Sequence, residues 1–261
     1  MSQFAHSTAD NVAIPRGQLY FAQFADGTTT PAKYETYFGS TPGATLNGSA
    51  TKLDRFSSDG PVRIKTHSVV TQTDYKGSIT TDNISFDNLA KFFLGTTATI
   101  ADAGATITDE TIGAVPVDAV VQLGISSTRP SGAKLVSSVA VSDGATLKTL
   151  GTHYELEATT GRVHALVAFA NMVVDYVISA SNRPRTISAG TQVKGALHLI
   201  SENAQGDRID YYMPSVTISP NGDLVLKGDG TAFAEIKMDL EVLAKDSSTA
   251  AVYVDGLAVA A

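Results

Sequence analysis

The chain has 261 residues, 43% of them hydrophobic, with 26 acidic against 19 basic side chains, a formal net charge of −7 and no cysteine. That length can bury a core as one large domain or two smaller ones; the missing cysteines exclude disulfides, thiolate metal sites and cysteine nucleophiles, and accord with folding in a reducing compartment. A net acidic surface repels nucleic acid, which excludes a phosphate-clamping protein but not a surface past which DNA slides. The opening MSQFAHSTADN is polar and reads as a loose start rather than a signal segment. No apolar run approaches the ~18 residues of a membrane helix.

Residues 18–24 (QLYFAQF) read as a strand, with Asp26-Gly27 opening the turn after it, and residues 33–38 as a weaker strand. Residues 39–48, rich in Gly, Thr, Ser and Pro, read as a loop or irregular edge, and KLDRFSS at 52–58 leads into the turn Asp59-Gly60-Pro61. Residues 62–75 (VRIKTHSVVTQTDY) contain no Pro or Gly and are rich in Val, Ile and Thr, so they predict a long strand. Lys76-Gly77 permits a bend before the strand resumes over 78–81.

The one convincing helix lies within residues 79–95. Ser85 is its N-cap, since a hydroxyl there accepts from free first-turn amides, and Asp87 suits the helix dipole. Phe86, Leu89, Ala90 and Phe93 fall at i, i+3, i+4 and i+7 and predict the face packed on a sheet, with Asn88 and Lys91 off it. Gly95 is placed to close the helix in the left-handed conformation.

Residues 96–115 read as linker plus short strand, with further strands over 117–125 and 134–142 and a turn at Asp143-Gly144. In 153–167 (HYELEATTGRVHALV), Tyr154, Leu156 and Ala158 alternate with His153, Glu155 and Glu157, and Thr160-Gly161 makes a hairpin turn. A strand over 172–179 follows, and NRPR at 182–185 punctuates its end. Residues 105–183 thus read as a small β module inserted in a larger domain formed by 1–104 and 184–244, with 245–261 an extension.

Strands over 191–202 and 208–218 form a hairpin across 203–207, and Pro214 predicts an edge or a bulge. Pro220-Asn221-Gly222-Asp223 and Gly228-Asp229-Gly230 are turns around a short strand at 224–227. In 231–244, Ile236, Met238, Leu240 and Val242 alternate with Glu235, Lys237, Asp239 and Glu241, a strand with one buried and one wet face. Residues 250–254 are a last candidate strand, before a turn at Asp255-Gly256.

No Walker loop, dinucleotide fingerprint, GxSxG or HExxH occurs. The 160–161 hairpin sets His164 opposite Glu155 with His153 close by; a cross-strand pair accounts for them better than a divalent metal, because zinc wants three or four convergent ligands. Asp223 and Asp229 resemble a calcium loop in composition only, without its spacing. Glu235, Asp239 and Glu241 share a strand face and could be read as a glycosidase carboxylate set, but acids on a wet face are ordinary and the chain has no Trp to stack a sugar. No catalytic, cofactor or metal residue is assigned.

Four stretches, in order, carry a family resemblance: RGQLYFAQF with its turn, KLDRFSSDGPVR, TTDNISFDNLAKFFLG, and RIDYYMPSVTISPNGDLVLKGD. Together they resemble the major tail tube protein of a long-tailed, non-contractile bacteriophage over about residues 16–95 and 184–244, and the hairpin GTHYELEATTGRV is similar to modules of phage tail proteins. The resemblance implies a mainly β fold, a sandwich or barrel with one short α-helix packed on the sheet, plus the inserted β module. It implies a non-enzymatic virion protein, assembled in the host bacterial cytoplasm, whose subunits close into stacked rings, usually of six, around a channel for DNA. Its implied partners are further copies, a tape measure protein, a tail terminator and distal tail proteins, with no cofactor, no membrane insertion and no specific hold on DNA.

On that resemblance, Thr71, Thr73, Glu202, Asp207 and Asp210 are candidate lumen residues, and residues 39–59, with Tyr37, Leu46, Leu53 and Arg55, resemble the loop that touches the next ring. The tube of a contractile tail or secretion system, a β-rich adhesin or binding module, and a polysaccharide-degrading enzyme are the competing readings.

Overall fold

The structure, a computed structural model, describes residues 12–25 and 27–256. Asp26 of the predicted first turn, His6 and the chain's polar start lie outside the described residues. The fold is mainly β, with several sheets and, among the described residues, a single short helix. It divides into two compact units, residues 1–97 with 186–261 and residues 98–185.

The first unit is built on an eight-stranded antiparallel sheet. Its strands are β1 (Gly17–Gln23), β2 (Thr36–Tyr37), β3 (Gly43–Phe56), β4 (Lys65–Thr81), β14 (Val193–Ser201), β15 (Ile209–Pro220), β16 (Ile236–Val242) and β17 (Tyr253–Gly256). They run in the order β2-β1-β14-β15-β16-β4-β3, with β17 alongside the first half of β15. β16 keeps strict alternation: Ile236, Met238, Leu240 and Val242 are buried and the residues between them exposed. Pro214 sits in a bulge, since Gly195 pairs with Val216 while Leu197 pairs with Met213. A residue with no N–H is accommodated where the ladder is already interrupted. The buried face of the sheet supplies Leu19, Phe21, Ile79, Leu197, Val216, Ile218 and Met238 to one core, which Phe92 of the helix joins.

The helix α1 (Phe86–Phe92) starts where its capping chemistry predicts, with Ser85 Oγ accepting from the Asn88 amide at 3.2 Å. Its packing face differs from the predicted one. Phe86 and Phe93 are 46% and 40% exposed, Leu89 is half-buried and only Ala90 of that set is buried. Asn88, Lys91 and Phe92 turn inward instead. Asn88 can be buried because its side-chain amide donates to the carbonyls of Phe38 and Asn83 at 2.8 and 2.9 Å. The chain leaves the helix through Leu94, at φ +50°, whereas Gly95 is already extended. A Cβ on Gly95 would lie 2.0 Å from the Ile187 carbonyl oxygen.

Four further segments of this unit differ from expectation. Of the segment expected as a loop or irregular edge over 39–48, residues 43–48 are regular strand: β3 is the sheet's edge strand and pairs with β4 from Gly43–Thr80 to Phe56–Lys65. Every residue of β3 after Gly43 is exposed, so no apolar alternation marks the strand and only the backbone ladder reveals it. Nor does β4 bend at Lys76-Gly77; it runs straight through, and Gly77 lies so close to β3 that a Cβ would meet the Thr45 carbonyl oxygen at 2.1 Å. The short strand expected at 224–227 is irregular, and the turn expected at Asp255-Gly256 is instead the end of β17.

The second unit holds a four-stranded sheet, β6-β12-β8-β9, and a three-stranded sheet, β10-β11-β7. The strands are β6 (Ala105–Val115), β7 (Val120–Gln122), β8 (Val136–Asp143), β9 (Thr146–Leu147), β10 (Tyr154–Glu157), β11 (Arg162–Ala165) and β12 (Phe169–Ile178). Leu123, Val141, Val163, Met172, Val174 and Tyr176 lead its own core. The 160–161 hairpin pairs Glu155 with His164, the expected register. The chain passes between the units through β5 (Gly95–Asp102) and β13 (Ser181–Ser188), which form a two-stranded ribbon. The 96–115 segment, expected as linker plus short strand, holds two strands, β5 and β6, and the chain continues as strand through the expected 182–185 break. Pro184 is exposed on this ribbon, where a missing N–H need not interrupt a central ladder.

Candidate interaction surfaces

Strand alternation gives the eight-stranded sheet a second face, opposite the side that packs α1. On it Lys76, Lys194, Lys237, Asp239 and Glu241 are exposed. Acids outnumber lysines there once Asp74, Asp210 and Glu35 are included. The charges are tied locally: Lys76 lies 3.2 Å from Asp74 and 3.6 Å from Glu241, and Asn221 donates to Asp239 at 2.6 Å. The three carboxylates of this strand, Glu235, Asp239 and Glu241, are thus engaged one by one, Glu235 with Lys237 at 3.7 Å.

The same face carries an aromatic row that sequence reading missed. Tyr37 pairs with Tyr20, Tyr20 with His198, His198 with Tyr212, and Tyr212 with Tyr253, in register across β2, β1, β14, β15 and β17. Ring centroids are 5.4 Å apart for Tyr20–Tyr37, 5.7 Å for His198–Tyr212 and 6.4 Å for Tyr212–Tyr253. Each ring shields its neighbour, a cross-strand packing that stabilises the sheet. Two-residue alternation placed each aromatic legibly, but only the register of strands distant in sequence brings them into line.

His198 is the imidazole of the row and sits between two carboxylates. Its Nε2 lies 2.6 Å from Asp210 Oδ1 and its Nδ1 3.3 Å from Glu35 Oε1. Burial alone lowers its pKa, but the Asp210 carboxylate in close contact and the charge of Glu35 outweigh that and raise it above the ordinary imidazole value.

The third feature is an arm. β16 accompanies β4 only as far as Tyr75. Beyond it, β3 and β4 continue as a bare two-stranded hairpin from Ser49–Asp74 to Phe56–Lys65, about 30 Å of ladder. Leu53, Val62, Ile64, Val69 and Val70 are exposed on it, Leu53 at 69%. Lys52, Arg55, Arg63 and Lys65 make it basic on an acidic chain, with Arg63 over the Phe56 ring at 5.6 Å and Lys65 2.6 Å from Asp54.

The predicted site residues divide among these features. Leu46, Leu53 and Arg55 lie on β3, but Tyr37 is at the other side of the sheet, in the aromatic row. Asp210 is on the wet face against His198. Thr73 shares its strand face with Tyr75 and Ile79, the core side, and Thr71 sits at the bulge where Thr51 pairs with Gln72 and Lys52 with Val70. Glu202 follows β14 and Asp207 lies in the β14–β15 connection, both exposed. The candidate lumen set therefore does not form one surface. In the second unit His164 lies 3.4 Å from Glu155 and 3.7 Å from Asp118, while His153 accepts from the Thr149 amide. Asp229 accepts from the Thr231 amide and hydroxyl, as a turn residue does. Among the described residues no group of three or more His, Asp or Glu is arranged to hold a metal.

Over residues 13–253 the chain matches the family described as Protein of unknown function UCP028589. The chain belongs to that family. Within this UCP028589 member the match spans the wet face, the arm and the whole of the second unit. No curated protein matches the chain.

Proposed function

We propose that the protein is a self-assembling structural subunit, a phage tail tube protein whose copies close into rings and stack into the conduit for the genome. The arm carries this reading. An isolated two-stranded ribbon is marginal in water, and this one exposes Leu53, Val62, Ile64, Val69 and Val70, the kind of apolar surface that marks a contact. β3 also leaves a long open edge, a pairing hazard that a closed assembly removes.

The acidic wet face fits the wall of a bore that must not hold phosphate. On this reading the partners are further copies first, then tape measure, terminator and distal tail proteins; the site is the virion tail, after assembly in the host cytoplasm. No catalytic step or cofactor is called for. A tube of a contractile tail or secretion system is the neighbouring form of the same proposal. The row from Tyr37 to Tyr253 favours a second reading, a β-rich binding module, because exposed tyrosines are common anchors in recognition surfaces. Light scattering on the chromatographed protein over a concentration series tests the choice: large cyclic species support the tube, a constant monomer or trimer mass the binding module.

A further inference from the structure

We propose that the second unit carries an oxyanion-binding site, lined by Arg129, Arg183 and Thr128 beside Asp102, that takes a phosphate or carboxylate group. The inference is independent of the assembly reading.

These residues, with Ile100, Ala101 and Ala103, line an open pocket of about 160 Å³. Since liquid water takes ~30 Å³ per molecule, there is room for one phosphate or one carboxylate with its first carbons. Arg129 is fixed in place: its Nε and Nη2 donate to the two Asp102 oxygens, each at 2.8 Å. Its Nη1 group makes no hydrogen bond among the described residues.

An Arg–Asp pair alone would be an ordinary structural clamp. The excess of cations around it is not explained that way. Arg183 is half-buried and acts on the Asp102 charge, yet it makes no hydrogen bond or ion pair among the described residues. Arg185 donates from Nη1 to the Thr128 carbonyl at 3.4 Å, and its Nη2 is buried without an acceptor. Arg129 and Arg183 against Asp102 leave one positive charge of the lining uncompensated. Lys134 adds to the crowding; burial, then the charges of Arg162 and Arg183, lower its pKa. Guanidinium forks match oxyanions in two-point geometry, and a buried N–H without an acceptor is costly. A bound oxyanion gives the Arg183 fork a two-point partner and offsets the uncompensated charge of the lining.

Calorimetric titration of the full-length protein with inorganic phosphate and, separately, with glucuronate tests this, with sodium chloride at matched ionic strength as the reference. The expected result is one site for at least one of the two anions. Binding should weaken about tenfold or more in Arg183→Ala, fall less in Arg183→Lys, which keeps the charge but not the fork, and stay unchanged in Lys227→Ala, an exposed residue of the first unit. Arg183 has no hydrogen-bond or ion-pair partner to lose among the described residues, so the variant should fold; circular dichroism checks it. Phosphate alone binding marks a phosphate site, and glucuronate alone a carboxylate site. No binding of either anion above chloride, or native affinity in both Arg183 variants, overturns the proposal.

Discussion

Asn88 of α1 donates its side-chain amide to the carbonyl of Phe38 at 2.8 Å, tying the helix to the segment that follows β2. The Asn83 and Thr81 side chains donate to the same carbonyl at 3.1 and 3.3 Å, so the helix, its entry and the end of β4 converge on one acceptor. Replacing Asn88 with Leu removes two donors from a buried position and leaves the Asn83 carbonyl short of a partner. The expected cost is about 1–3 kcal/mol, read as a lower urea midpoint with an unchanged slope. A variant as stable as the native chain would mean that the amide does not hold the helix.

The arm and the core should respond oppositely to substitution. Ile236 is fully buried, and Ile236→Ala should cost about 2–5 kcal/mol. Leu53→Asp with Val69→Asp, an exposed cross-strand pair of the arm, sets two like charges face to face; it should cost the arm about 0.2–1 kcal/mol, far less than Ile236→Ala costs the core, yet abolish large assemblies. Denaturation and light scattering on the same samples separate the two effects.

His198 sets a pH dependence whose sign follows from its raised pKa. The folded state favours the protonated ring, so the stabilisation is complete below the unfolded value of about 6.5 and is lost as pH rises through the folded value. The Tm advantage of the native chain over His198→Gln should therefore be largest near pH 6 and shrink toward pH 9. An advantage that grows with pH would contradict the Asp210–His198–Glu35 arrangement.

Asp102 runs the other way. The Arg129 hydrogen bonds, then that from the Gly104 amide, hold its pKa down to about 2. Its contribution is present above the ordinary value of 3.8 and is lost as pH falls through about 2. Carboxyl-carbon NMR should place its midpoint near that value, and Arg129→Gln should return it toward 3.8.

Much of the fold was legible where one face of an element is buried. β16 announced itself by alternation, the 160–161 hairpin set the Glu155–His164 register, and Pro214 marked its bulge. β3 left no such trace, because both of its faces meet solvent and its Gly, Thr and Ser content reads as loop. The helix was placed correctly but turned wrongly, since Asn88 and Lys91 are polar yet buried: Asn88 through its amide bonds, Lys91 with its ammonium 5.2 Å from the centre of the Phe38 ring. The aromatic row and the arginine cluster were beyond reach for a different reason. Each gathers residues from segments far apart in the chain, and only strand register and loop closure bring them together.

The claim that copies of this chain complete one another is tested most directly by negative-stain electron microscopy of the purified protein across a concentration series. The account predicts annular particles with a central hole, stacking into tubes as concentration rises, and their absence in the Leu53→Asp, Val69→Asp protein. Discrete, solid particles of monomer size at every concentration would contradict it.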